Sequence, residues 1–215
     1  KNNPSFFAVG SGWEPNAFDG RDAEFVSAPG SDAHGRFLPY LAVGEPLEIL
    51  PDIETSAYYA EPKKRNRTFL TRAYTFSVGG KDVLMTTASA VVKVNGKFQG
   101  IVLIDLALDD IISMVNSITL YDSGWGSLLT QDGTVVAHKD PERVNKAIFD
   151  GNRVGDVQGL KAAMAAGKPF MEVHDGNFRY FYPMHFEATG QYWYFLVSVP
   201  EDEVLAQAAA ISRLT

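Results

Sequence analysis

Apolar and polar positions alternate most regularly between Phe69 and Leu106, in three strand-like runs separated by Gly79-Gly80 and Asn95-Gly96. Val, Ile, Thr, Tyr and Phe suit a pleated, half-buried surface, and both dipeptides supply the positive φ of tight hairpin turns. The pattern predicts an antiparallel meander of strands Leu70–Val78, Val83–Val94 and Phe98–Leu106. The spacing then lengthens to a helical one. Ile111, Ile112, Val115 and Ile118 share a face over 108–118, with Asp109 and Asp110 at the end where the helix dipole favours acids.

The flanking chain is more broken. Ser5–Gly12 is a short apolar strand, followed by loops rich in turn residues at 13–35. Strand-like pieces over 36–49 are interrupted by Pro39, Gly44 and Pro46. A helical turn near Asp52–Thr55 is expected to carry Tyr58 and Tyr59, and Pro62–Arg67 reads as a basic loop. Beyond residue 120 the pattern starts again. Gly124–Thr130 and Thr134–Ala137 flank a Gln-Asp-Gly turn, a short helix follows, and Pro169–Val173, Phe178–Pro183 and Tyr192–Val199 are strands. Pro200-Glu201-Asp202-Glu203 opens a last helix, Val204–Leu214. Two successive units of hairpin strands ending in a helix predict an α+β chain of two similar modules.

One residue departs from the strand pattern. The third strand of the meander is almost wholly apolar yet carries Asp105, on the same face as Ile101 and Leu103. A buried carboxylate needs a backbone donor, a basic side chain or a cationic ligand. Trp13, Tyr40, Tyr58, Tyr59, Tyr74 and Phe76 all fall near loops or strand ends. Singly, each is an ordinary core residue. Together with Asp105 they could form an aromatic box closed by an anion, which is the physical recipe for a small organic cation.

Composition removes other classes. The net charge is −7 over 215 residues without a basic stripe, which argues against nucleic-acid partners. With no cysteine there are neither disulfides nor cysteine metal sites. His34, His138, His174 and His185 are scattered without metal-ligand spacing, so no metal or other cofactor is expected. No phosphate loop, nucleophile elbow or spaced carboxylate pair is present, so an enzyme is not expected. No stretch reaches membrane-span length, and no signal peptide opens the chain. An abrupt start at Lys1 and an end inside a helical pattern read as a segment of something longer.

Five segments in order, GWEPNAFDGRDAEF, DAHGRFLPY, YYAEPKK, LTRAYTFSVGGKDVLMTT and NGKFQGIVLIDLALDDI, resemble the extracytoplasmic sensor domain of bacterial methyl-accepting chemotaxis receptors. The subtype is the double Cache domain, and QDGTVVAHKDP resembles the matching hairpin of its second module. The resemblance implies two PAS-like modules with antiparallel sheets, stacked on a long N-terminal helix that precedes Lys1. It divides the chain into a membrane-distal, ligand-binding module (1–118), a membrane-proximal module (119–200) and a C-terminal helix (201–215) leading to the membrane. It further implies a periplasmic domain of an inner-membrane protein that is homodimeric. Such a receptor signals to a cytoplasmic kinase and adaptor through domains outside this chain.

Amino-acid-binding relatives carry an Arg-x-Trp-Tyr segment, a Tyr-x-Asp and a strand-ending Asp. Here these positions read Ser56-Ala57-Tyr58-Tyr59, Tyr74-Thr75-Phe76 and Asp105. The aromatic and acidic elements of the ammonium end persist, whereas the carboxylate-clamping arginine is Ser56 and the second acid is Phe76. A quaternary ammonium has no N–H to satisfy and prefers ring faces. The expected ligand is therefore a betaine or choline-like amine, its carboxylate, if present, needing backbone amides or a basic residue such as Arg72. Polyamines and plain amino acids come next, and polyamines would favour a second acid. Sensor kinases and cyclic-dinucleotide enzymes use the same architecture, and a soluble solute-binding protein is a further alternative.

Overall fold

The computed structural model describes residues 6–212 and divides into two compact units, one ending at Ala107 and the next beginning at Leu108. The first unit contains β1 (Phe6–Trp13), β2 (Pro39–Ala42), β3 (Glu48–Ile49) and α1 (Ala57–Arg65), then β4 (Phe69–Leu70), β5 (Tyr74–Val78), β6 (Lys81–Val94) and β7 (Lys97–Ala107). Its antiparallel sheet runs β3-β2-β1-β7-β6-β4, with β5 also paired to β6. The second unit opens with α2 (Asp109–Asn116), β8 (Thr119–Leu120), β9 (Gly124–Thr130) and β10 (Val135–Ala137). It continues with α3 (Val157–Ala166), β11 (Phe170–His174), β12 (Asn177–Phe186), β13 (Gln191–Pro200) and α4 (Glu201–Ser212). Its sheet runs β10-β9-β13-β12-β11, with β8 beside β9.

With the two-residue strands β3 and β8 set aside and β4 and β5 counted as one interrupted strand, both units share one plan: two strands, a helix, and three more strands, the last of which returns between the first and the fourth. This is the α+β arrangement of two antiparallel sheets that the hydrophobic pattern predicts.

The structure corrects several boundaries. Helix α2 packs on β9 and β10, with Val115 buried, so the first unit ends at 107 and not at 118. The strand expected over Leu70–Val78 is two pieces. Leu70 pairs with Ala88 and Tyr74 with Met85, so three residues of one strand face two of the other. One extra residue is a β-bulge, which bends the strand and re-aims its side chains. The segment from Pro62 to Arg65 is helix rather than loop, and only Asn66 ends α1, in the left-handed conformation. Pro62 lies near the end of a short helix, where a single missing N–H interrupts little. The reach of the last helix to Leu214 lies outside the described residues.

One small residue of β1 shapes the first unit's interior. Gly10 pairs with Tyr40 on one side and Leu103 on the other. A Cβ there would stand 3.0 Å from the Pro39 carbonyl and 3.3 Å from the Tyr40 ring. The missing side chain lets the Tyr40 ring lie across β1 and reach β7. The surrounding core gathers Leu38, Leu50, Ile53, Tyr59, Ile101 and Leu103.

Candidate functional site

Asp105 stands in mid-sheet, paired with Ala8 of β1 and Thr87 of β6, and its residue is only 3% exposed. Its Oδ2 accepts the Tyr40 hydroxyl at 2.7 Å and its Oδ1 accepts the Thr87 hydroxyl at 2.5 Å. Because the single Thr87 proton points at Asp105, the Tyr74 hydroxyl 2.6 Å away donates to Thr87 Oγ1. A donor chain thus runs Tyr74 to Thr87 to Asp105, and Tyr40 closes it from the other side. No lysine, arginine or histidine among the described residues pairs with this carboxylate. Burial pushes the Asp105 carboxyl above the ordinary range, and the hydrogen bonds from Thr87 and Tyr40 pull it back only in part.

Asp105 lines a cavity of about 280 Å³ in the first unit. Tyr40, Tyr58, Tyr74 and Phe76 wall it, with Leu103 and Leu50 adding apolar surface. Tyr58 sits in the first turn of α1, and its hydroxyl donates to the Pro51 carbonyl. Burial pushes that phenol up to about 12. Burial, and after it the Asp105 charge, likewise raise the Tyr40 and Tyr74 phenols, so both stay neutral donors. The α1 side contributes Ser56, the residue preceding the helix, and Asp52, both at the lining. From the bulge come Thr71 and Arg72, consecutive residues that both face the cavity.

The bulge is held from β6. Thr71 donates its N–H to the Thr87 carbonyl, its hydroxyl oxygen accepts from the Thr87 N–H, and its carbonyl accepts from the Thr86 hydroxyl. Thr87 therefore serves both the bulge and Asp105.

Five of the seven residues singled out from the sequence, Tyr40, Tyr58, Tyr74, Phe76 and Asp105, line one cavity. Trp13 and Tyr59 do not. The Trp13 indole donates to the Ser11 hydroxyl and its ring packs edge-on against Phe18, 5.0 Å between centroids. Phe18 in turn lines a separate hollow of about 170 Å³ with Asp22, Phe25 and Phe37. Tyr59 is fully buried, and its hydroxyl accepts from Arg36 Nη2 at 2.8 Å and donates to Glu14. Lys63 also reaches Glu14, at 2.7 Å, and Arg36 pairs with Glu54. Tyr59 is thus a structural hub behind α1. Asp52 and Thr87 escaped notice in the sequence: an isolated acid before a helix and a threonine among strand threonines carry no signal of their own.

Among the described residues no group of three or more His, Cys, Asp or Glu could hold a metal. Nor is any described helix long and apolar enough to cross a membrane.

The Cache domain family model, dCache_1, matches residues 16–208. The methyl-accepting chemotaxis protein TlpQ of Pseudomonas aeruginosa is 27% identical over 235 aligned positions, covering 98% of this chain and 32% of that protein. The chain therefore spans about a third of that relative's length. The extracellular domain of mmHK1S-Z2, a protein assigned as a histidine kinase, superposes with a TM-score of 0.77 at 28% identity, covering 94% of this chain and 78% of that one. A structure of methyl-accepting chemotaxis protein X gives a TM-score of 0.72 at 26% identity, covering 91% of this chain and 75% of that one. The relatives are thus two methyl-accepting chemotaxis proteins and the extracellular domain of a kinase-assigned protein.

Proposed function

The chain belongs to the Cache domain family, and on that premise we propose that its first unit is the ligand-binding module of a membrane-anchored sensor recognising a small organic cation. A methylated or quaternary amine, such as a betaine or choline, fits best. The observation that carries this is Asp105: a buried carboxylate without a basic partner, at the floor of a cavity walled by Tyr40, Tyr58, Tyr74 and Phe76. Both carboxylate oxygens already accept hydroxyls. A primary ammonium has three N–H groups to satisfy and finds only the one remaining acceptor site on each oxygen, whereas a quaternary one needs only ring faces and a diffuse negative charge behind them.

Such a module would sit outside the cytoplasmic membrane, in a homodimeric receptor whose cytoplasmic kinase and adaptor contacts lie in other domains. Signalling requires that the ligand bind two conformations of the sensor unequally.

Asp52 supports a second reading. A second acid at the lining would suit a diamine, with one ammonium on Asp105 and the other at the mouth.

Calorimetric titration of the domain with glycine betaine, choline, putrescine and a set of amino acids separates these ligands. Micromolar binding confined to the methylated amines is the expected result. Putrescine as the tightest ligand would transfer the site to diamines. Binding confined to plain amino acids would refute the methylated-amine assignment.

A further inference from the structure

We infer that Arg72 receives a ligand carboxylate, so that the cavity selects betaines over cations that carry no acid group. This rests on the cation-binding reading above and sharpens it to a zwitterion.

The bulge between β4 and β5 is the structural cause. In an unbroken strand consecutive residues point to opposite faces, whereas here Thr71 and Arg72 both line the cavity. Thr71 is buried and tied by three hydrogen bonds to Thr86 and Thr87, so the backbone that carries Arg72 is fixed. Three other arginines of this unit contrast with it. Arg21, Arg36 and Arg65 are engaged by Glu24, Glu54 and Glu61. Arg72 is exposed at the cavity and makes no hydrogen bond or ion pair to a described residue. An unengaged guanidinium on a fixed backbone presents a planar donor fork, the geometry that grips a carboxylate with two parallel bonds.

The cavity therefore holds a buried anion at Asp105 and an exposed cation at Arg72, an array complementary to a molecule with an ammonium at one end and a carboxylate at the other. Asp52, the remaining charged lining residue, is exposed, and water and salt weaken its repulsion of that carboxylate. Ser56, where amino-acid-binding relatives would have arginine, offers no charge. Arg72, on the bulge between β4 and β5, supplies it.

The test is calorimetric titration of the wild-type domain, Arg72→Gln and Arg72→Lys with glycine betaine and with choline. Wild type is expected to bind glycine betaine at least about tenfold more tightly than choline. Arg72→Gln should weaken glycine betaine roughly tenfold to a hundredfold and choline by less than about threefold, a size typical of one charge-assisted hydrogen-bonded pair. Arg72→Lys should recover part of the loss, because lysine keeps the charge without the fork. Equal weakening of both ligands, or unchanged betaine binding in Arg72→Gln, would overturn the inference and leave the cation site standing. If wild type binds neither ligand, the cation reading falls and this inference with it. Because Arg72 is exposed, thermal unfolding of the variants should match wild type.

Discussion

The two units follow one strand order yet use their interiors differently. In the second, the inner face of the sheet is closed by Leu129, Tyr194, Leu196 and Phe181, over which Leu160 and Met164 of α3 pack. Tyr194 is fully buried and its hydroxyl donates toward the carbonyls of Ala163 and Lys168, near the end of α3. In the first unit the corresponding central strand, β7, places Asp105 there, and Tyr40 and Tyr74 turn their hydroxyls toward that carboxylate and its threonine neighbour. The same frame thus encloses a filled core in one unit and, in the other, an aromatic-walled hollow holding one carboxylate. The hollow is obtained by giving up burial: the first unit forgoes apolar contact over a cavity of about 280 Å³ and holds an anion out of water.

The largest test of this contrast is Tyr194→Ala. It opens the filled unit, and a loss of about 3–5 kcal/mol of folding stability is expected in chemical denaturation, with ligand affinity of the first unit unchanged wherever the domain stays folded. Asp105→Asn probes the hollow unit and should behave oppositely. Cation affinity should fall by about a hundredfold in titration, while folding stability holds or rises because a buried charge is removed.

The sign of the pH dependence follows. The folded Asp105 carboxyl lies above its unfolded range. Its contribution to stability is therefore fully present below the unfolded range and is lost as pH rises through the raised value. Cation binding needs the ionised form and strengthens over the same interval. Wild type minus Asp105→Asn should show both trends, in stability and in affinity, and a flat difference would contradict the assignment.

His138 gives the second unit its own pH response. It is 2% exposed, its Nε2 lacks a partner in the described structure, and burial lowers its pKa to about 4. The unfolded chain takes up this proton first, so stability should fall by about 2–3 kcal/mol as pH drops from about 6.5 toward 4. His138→Phe should abolish that part of the decline in pH-dependent unfolding. The smallest effect is expected at Tyr59→Phe. It removes the contacts to Arg36 and Glu14, which should lower stability by about 1–2 kcal/mol and leave titrated ligand affinity unaltered.

The pattern of apolar residues made the strands legible, and Asp105 was legible because a carboxylate interrupts an otherwise apolar strand. The aromatic residues were less so, since an aromatic near a loop does not say which face it takes. Tyr58 and Tyr59 show why. Successive helical residues point about 100° apart, so one meets the cavity and its neighbour turns to Arg36 behind α1. Arg72 was visible as a basic residue, but the bulge that brings it beside Thr71 is a register shift against Ala88 and Met85, which no local composition encodes.

Gly10 carries a consequence for the way specificity can drift. It contributes no atom to the cavity wall, yet a Cβ at position 10 would stand 3.3 Å from the Tyr40 ring that reaches Asp105, so a side chain there would have to nudge that ring. In a saturation scan scored by ligand response, substitutions at this glycine should therefore cluster with those of the binding tyrosines. An alignment-blind map of contacts would file it as silent. Selection for a new ligand could act there first, retuning the phenol from one strand away.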